Sequence, residues 1–205
     1  MMSSSTPDTP SRGPAEHAVR DQIIAAAHEC FARYGYAKTT VADLAKEIGF
    51  SKAYIYRFFE SKQAIGEEIC GSRLTQIVAE TRAAIEQGHT ATDRLRRMFK
   101  SLTTRSVDLF FHDRKIYDIT AHSAAERWGS SEAYKETLKD ILAEIIKSGR
   151  ESGEFERKTP LDESCRAILY AMTPFIDPLH LERNLDLLPE APQEVTSLIL
   201  RSLAP

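Results

Sequence analysis

Between Ser51 and Arg57 the chain places a hydroxyl, a lysine, two tyrosines and an arginine within seven residues, Ser-Lys-Ala-Tyr-Ile-Tyr-Arg. Side chains of these kinds donate hydrogen bonds to phosphate oxygens and base edges, and the small Ala53 among them permits close approach. A second concentration, from Arg105 to Trp128, mixes aromatic rings with polar tips: Phe110, Phe111, His112, Tyr117, His122 and Trp128. Pockets between helices are commonly lined this way, with apolar walls and a few polar groups that fix orientation. Tyr170, Phe175 and His180 are candidates to close such a pocket from further along the chain, and Arg105 is a candidate anchor for an anionic ligand. Core packing with surface histidines is the plain alternative. Catalytic chemistry has no comparable support: the sequence carries no HExxH, no Cys/His cluster, no phosphate-cradling glycine loop and no nucleophile with its base. Asp118 and His122 lie four apart on one predicted helix face, near His112 and Asp113, a spacing more common in surface pairs than in metal sites. The expectation is a non-enzyme without cofactor or metal.

The elements around the first cluster explain its placement. Thr40 followed three residues later by Asp43 is a capping box, and Val41, Leu44, Ala45 and Ile48 then recur at helical spacing, predicting a helix of about two turns. Gly49 ends it, because glycine reaches the left-handed conformation cheaply, and Phe50 plugs the corner. Ser51 caps the next helix, Ser51 to Phe59, in which Ile55 and Phe59 face inward together and Lys52, Ala53, Tyr56 and Arg57 face out. This is a helix-turn-helix, and it makes double-stranded DNA the leading partner. Ile23, Ile24, Ala27 and Phe31 form an earlier apolar stripe, the third helix needed to bury the pair. Ser61 is placed to cap a long following helix, with Lys62 at its amino end, where the helix dipole disfavours a cation unless a phosphate lies nearby.

The run from Phe31 to Lys62, FARYGYAKTTVADLAKEIGFSKAYIYRFFESK, closely resembles the amino-terminal signature of the TetR/AcrR transcriptional regulators, and the likeness extends over about residues 20 to 66. The resemblance implies a dimeric one-component regulator, usually a repressor, whose variable carboxy-terminal domain binds a small-molecule effector. It also implies that Thr40, Ser51, Lys52, Tyr56 and Lys62 fall where family members touch the DNA backbone, and that Ala53, Tyr54 and Arg57 are nearer the base-reading positions. Tyr54 departs from the small hydroxyl residue often found there, and Ala64-Ile65 replaces the usual acidic-Leu pair.

Charge limits how DNA can be held. The 205 residues carry 27 Lys/Arg against 30 Asp/Glu, a net charge of −3. Residues 1 to 66 hold eight Lys/Arg against seven Asp/Glu, leaving 19 against 23 for the remainder. A coating or sliding protein dependent on bulk positive charge is excluded, so affinity has to come from a few placed contacts and dimerisation. Cys30, Cys70 and Cys165 are widely spaced and odd in number, reading as reduced, buried residues; a redox-sensing role for Cys70 or Cys165 is the alternative. With no signal peptide and no apolar run long enough for a bilayer, the expected location is the cytoplasm, without a membrane partner. The first residues are rich in Ser, Thr and Pro and predict a disordered tail over 1–15, from which Arg12 can reach a minor groove.

The expected architecture is all-α: a helix-turn-helix DNA-binding domain over 16–62, then a larger helical ligand-binding and dimerisation domain over 63–205. Helices are predicted from Lys62 to Glu86, from Thr90 to His112, from Lys115 to a stop at Gly129, and from Ser131 to Gly153. Thr159-Pro160-Leu161-Asp162 predicts a start with Thr159 as cap and Pro160 at the first helical position, running to about Ile176. A last helix is expected from Pro192 to Leu203. By the resemblance, these two carboxy-terminal helices form the homodimer surface, with Ile168, Leu169, Met172, Val195, Leu198 and Ile199 as candidate contacts, though an intramolecular core explains the same residues equally well. Two-fold symmetry then spaces two recognition helices about one duplex turn, roughly 34 Å, to read a palindrome. The alternatives are a metal- or redox-responsive regulator of the same fold, or a helical adaptor without specific DNA binding.

Overall fold

A computed structural model describes residues 14–205; the first thirteen, Arg12 and most of the expected 1–15 tail with them, lie outside the described residues. The described chain is all-α, with no strand among its residues. Its helices are α1 (Pro14–Tyr34), α2 (Val41–Ile48), α3 (Lys52–Tyr56), α4 (Lys62–Glu86), α5 (Ala91–His112), α6 (Arg114–Ala125), α7 (Gly129–Ser152), α8 (Leu161–Ile176), α9 (Pro178–Leu181) and α10 (Glu190–Ser202).

The first three helices close over Ile23, Ala27 and Phe31 of α1, Leu44 of α2 and Ile55 of α3, all without solvent exposure. Burying that many aliphatic and aromatic side chains, at about 1.5–3 kcal/mol each, is what holds so short a helix as α3 in place. Arg20 adds a tie that the apolar pattern does not reveal. Its guanidinium donates to the Phe58 carbonyl at 3.1 Å, pairs with Glu68 of α4 at 2.6 Å and lies 4.2 Å over the Phe59 ring. α4 then runs out of this unit and packs along α5 and α7, so one continuous helix belongs to both halves.

Several helix starts differ from the sequence-based expectation. α6 breaks before Gly129, and Gly129 opens α7 instead of stopping α6; the turn is made at Arg127, whose φ is 53°. The cause is Trp128: its ring is buried and its backbone N–H donates to the Ser123 carbonyl at 2.9 Å, which folds the chain back early. α8 begins at Leu161 with Pro160 in the capping position and no side-chain cap. Thr159 lies one residue outside the capping position, its N–H donating to the Glu156 carboxylate at 3.1 Å and its carbonyl accepting from Arg150 at 2.7 Å. α10 starts two residues before the expected Pro192, while α4, α5 and the end of α8 fall where the caps and Asp177-Pro178 put them.

Of the candidate dimer contacts, Ile168, Met172 and Ile199 are buried within the protomer, where α8 and α10 pack on each other and on α5. Leu169 and Val195 are half-buried. Leu198, at 60% exposure, and Tyr170, at 71%, remain on the outer faces of these helices.

Candidate nucleic-acid interface and cavity

The cap of α2 is complete. Thr40 Oγ1 accepts from the Asp43 N–H at 3.2 Å, and Asp43 Oδ2 accepts from the Thr40 N–H at 2.8 Å and from its hydroxyl at 2.7 Å. Those bonds to the ionised form hold the Asp43 carboxyl below its ordinary range. Gly49 terminates α2 at φ 76°, in the left-handed region. The chain re-enters a helix at Ser51, whose Oγ accepts from the Tyr54 N–H at 3.1 Å. α3 is shorter than the pattern predicts, yet its orientation is as expected: Ile55 and Phe59 are buried, and Ser51, Lys52, Ala53, Tyr56 and Arg57 are exposed. Lys52 lies over the Tyr56 ring at 5.7 Å, and both border a shallow groove that also includes Thr40 and Lys62. A hydroxyl, an ammonium and a phenol around one groove, with the Glu60 carboxylate also at its edge, can hold a phosphate; Ala53 and Arg57 are exposed on the same helix, and Arg57 forms no intramolecular ion pair among the described residues.

Two residues of the sequence-derived set are partly committed inside the protein. Tyr54 is half-buried, its ring edge-on to Phe50 at 5.0 Å and to Phe58 at 5.3 Å, so packing holds it in place of a freely reaching side chain. Lys62 donates to the Tyr36 carbonyl at 3.0 Å and sits 4.2 Å over the Tyr36 ring. This contact supplies a reason for a lysine at the amino end of α4 that needs no phosphate, and burial lowers its pKa. Tyr36, which the apolar pattern passes over, is the centre of a cluster. Its ring meets Phe31 at 5.2 Å, His122 at 5.2 Å and Trp128 at 5.3 Å, joining the α1–α2 loop to α6 and the start of α7.

That cluster removes His122 and Trp128 from the expected ligand pocket, and the other residues of that set are also used elsewhere. Arg105 pairs with Glu80 at 2.8 Å. Phe110 packs on Phe111 and Tyr117; Phe111 is exposed, and His112 contacts the carbonyl of Asp108. Tyr117 is buried, donates to the Pro178 carbonyl at 2.6 Å, and has its pKa pushed up to about 12 by burial, with the Glu182 charge adding to it. Phe175 is buried and His180 exposed. Asp118 pairs with Arg114, and among the described residues no three His, Cys, Asp or Glu side chains gather as metal ligands would. All three cysteines are buried, and burial raises each thiol's pKa, which disfavours the reactive thiolate.

A cavity of about 480 Å³, within the range of small-molecule sites, lies between α4, α6, α7 and α8. Leu74, Leu138, Leu169 and Ile176 supply apolar wall, and of the expected pocket residues only Tyr170 reaches it, at the rim. Tyr134 borders the cavity near Asp177, and burial together with that charge raises its pKa. Heptad-like spacing of Ser131, Tyr134 and Leu138 on one predicted helix, and of Leu169, Thr173 and Ile176 on the next, is the available signal, but core packing gives the same one.

Comparisons with known proteins bear on the family and the fold. Residues 23–69 match the model for bacterial regulatory proteins of the tetR family, and residues 91–195 match the Tetracyclin repressor-like C-terminal domain. The chain is 46% identical over 46 residues to an HTH-type transcriptional repressor of Mycobacterium tuberculosis; that stretch is 22% of this chain and spans only 25% of the length of the relative. In fold it is similar to the fatty acid degradation regulator FadR from Bacillus halodurans, with TM-score 0.66 and 19% identity over 93% of this chain and 97% of the other. FadR from Bacillus subtilis, solved in complex with stearoyl-CoA, gives 0.65 and 20%, covering 89% and 98%. The TetR family transcriptional regulator PfmR from Thermus thermophilus gives 0.57 and 26%, covering 89% and 99%.

Proposed function

The chain belongs to the TetR family of DNA-binding transcriptional regulators, and from that premise we propose that it is a homodimeric repressor, released from a palindromic operator when a small molecule occupies the cavity between α4, α6, α7 and α8. The observation that carries this reading is the division of faces on the Ser51-capped helix: Ile55 in the core, Lys52, Ala53, Tyr56 and Arg57 outside. Thr40, Lys52 and Tyr56 contact phosphates across the groove they border, Lys62 completes it from α4, Ser51 meets the backbone from the start of α3, and Arg57 with Ala53 and the Tyr54 hydroxyl lies toward the bases. The repressor assignment is supported by the Mycobacterium tuberculosis relative over the reading unit. A DNA-binding unit over 16–62 and an effector and pairing unit over 63–205 are the working division.

Pairing through α8 and α10 is supported by Leu198 and Tyr170, large side chains exposed on the outer faces of these two helices. Leu169 and Val195 flank them, and Ile168, Met172 and Ile199 stiffen the pair from beneath. A reader that carries almost no net charge needs two half-sites to gain affinity, which is the functional reason for the dimer. Effector release requires different affinities for two conformations; a coupling of about 1–3 kcal/mol weakens operator binding roughly 5- to 150-fold.

Selection of bound duplexes from a random pool tests the reading. A palindromic winner with half-sites about one turn apart is expected. Absence of enrichment, with Lys52, Tyr56 and Arg57 substitutions all silent, overturns it in favour of a helical adaptor.

A further inference from the structure

A second concavity, of about 370 Å³, lies between α5 and the start of α10. Arg96 and Lys100 of α5 border it, four residues apart and so on one helix face, and its lining holds no carboxylate. The other two hollows carry acids: Glu136 and Asp177 line the cavity between α4, α6, α7 and α8, and Glu60 the groove beside α3. Like charges at this spacing destabilise a helix by about 0.2–0.5 kcal/mol. Neighbouring arginines are compensated: Arg97 pairs with Asp93 at 2.9 Å, and Arg94 donates to the Gly88 carbonyl at 3.1 Å. Arg96 and Lys100 make no ion pair or hydrogen bond among the described residues, and the acids of α10, Glu190 and Glu194, are exposed and pair with neither.

Thr103 follows on the same face of α5. Its Oγ1 is buried and has no hydrogen-bond partner among the described residues. A helical threonine ordinarily bonds back to the carbonyl four residues earlier, as Thr173 does to Leu169 at 2.9 Å and Thr196 to Pro192 at 2.6 Å. A buried hydroxyl left unmatched costs about 1–3 kcal/mol. Phe99 and Pro192, both buried, supply apolar wall beside it.

The groove is remote from the reading unit. α4 and α5 are antiparallel, Thr81 meeting Ser101 at 3.1 Å, and Thr81 is nineteen positions, about 28 Å of helix, from Lys62. Operator phosphates are therefore not its occupant. It is also clear of the outer face of α10: at about 100° per residue, Gln193, which lines the groove, and Leu198 fall on opposite flanks of the buried Pro192, Thr196 and Ile199.

We propose that this groove is a second ligand site, for a phosphate monoester: the phosphate is held by Arg96 and Lys100, the Thr103 hydroxyl donates to one of its oxygens, and an apolar body rests against Phe99 and Pro192. Such a group carries about −1.5 to −2 charge at neutral pH and offers three acceptor oxygens, which matches two cations and a hydroxyl; a carboxylate leaves one cation uncompensated. The site is independent of the effector cavity and stands whether or not that reading holds.

Calorimetric titration of the full-length protein in neutral, phosphate-free buffer with phenyl phosphate, inorganic phosphate and benzoate tests it. Phenyl phosphate is expected to bind with Kd below about 1 mM, inorganic phosphate about threefold and benzoate at least about tenfold more weakly. The double variant Arg96→Gln/Lys100→Gln, changed only at exposed positions, should abolish binding, whereas Lys52→Ala, in the groove beside α3, should leave it intact. Thr103→Val keeps the shape and removes the hydroxyl. It should weaken phenyl phosphate about tenfold without destabilising the free protein, because the hydroxyl has no partner there. No binding of phenyl phosphate, benzoate or inorganic phosphate binding as tightly, or binding that survives the double variant overturns the proposal. A Thr103→Val protein that is less stable but binds unchanged equally overturns it, by making that hydroxyl a structural group.

Discussion

Replacing Gly66 with alanine puts two opposing effects in one methyl group. Gly66 lies in the second turn of α4, where alanine is favoured over glycine by about 1 kcal/mol. A Cβ built there meets Tyr36 Cε2 at 2.9 Å and two ring carbons of Trp128 at 3.0 Å. Carbon atoms prefer about 3.5–4.0 Å, so both rings must retreat by roughly half an ångström or more. Neither has room: Tyr36 is 8% exposed and Trp128 4%, and each is packed against His122 as well. Overpacking of this kind costs about 1–3 kcal/mol, which outweighs the propensity gain and leaves a net loss of about 0–2 kcal/mol. For a chain of this size, each kcal/mol lowers Tm by about 2–4 °C. The displaced Tyr36 also carries the carbonyl that holds Lys62 and precedes Thr39 and Thr40, so DNA affinity should fall with it. Urea unfolding and duplex binding measured on Gly66→Ala, alone and with Trp128→Leu, check this; the second change makes room and should recover most of the overpacking cost. A Gly66→Ala protein that is about 1 kcal/mol more stable and binds DNA normally would refute the reasoning, since the rings would then be yielding at no cost.

Other perturbations separate the remaining parts. Lys52→Ala should weaken binding to all duplexes alike and reduce the salt slope by about 1, whereas Arg57→Ala should relax sequence preference; competition and salt titrations tell them apart. Leu198→Asp, at a position 60% exposed, should leave the protomer's helix content intact and shift the dimer to monomer in sedimentation experiments. Glu154 accepts from the Ala91 and Thr92 N–H groups at 3.0 Å, capping α5 from another helix end, and these bonds lower its pKa from 4.5. A depressed carboxylate pKa stabilises the fold above the unfolded value and loses that contribution as pH falls through the folded one. Unfolding of Glu154→Gln should accordingly vary less with acidification below about pH 4.5 than that of the natural chain.

What is legible in the sequence is local. Thr40 with Asp43, Gly49 and Ser51 act on neighbours within four residues, and such caps fix helix ends wherever the rest of the molecule lies. The division of α3 into inner and outer faces follows from the same short spacing. The cavity is not legible because it depends on which of several apolar stripes fails to be filled after four helices have packed. Aromatic content points to Arg105–Trp128, but Tyr117 closes onto Pro178 and Trp128 onto Tyr36, so rings that look available in sequence are consumed by packing. Ile168, Met172 and Ile199 meet the same end in the protomer's core. Thr159 misleads for a related reason: its backbone is tied to Glu156 and Arg150, and the helix opens only after Pro160.

The cluster around Tyr36 bears on how far such a protein can be taken apart. A cut at residue 62 looks natural from the sequence, yet Gly66, His122 and Trp128, all beyond that cut, form the surface on which the loop before α2 rests. Exchanging the reading unit with that of another regulator would leave a tyrosine without its ring partners, or a tryptophan facing a side chain of the wrong shape. Modular swaps in this chain would succeed only if the four residues travel together, which makes the joint, more than either half, the unit of inheritance.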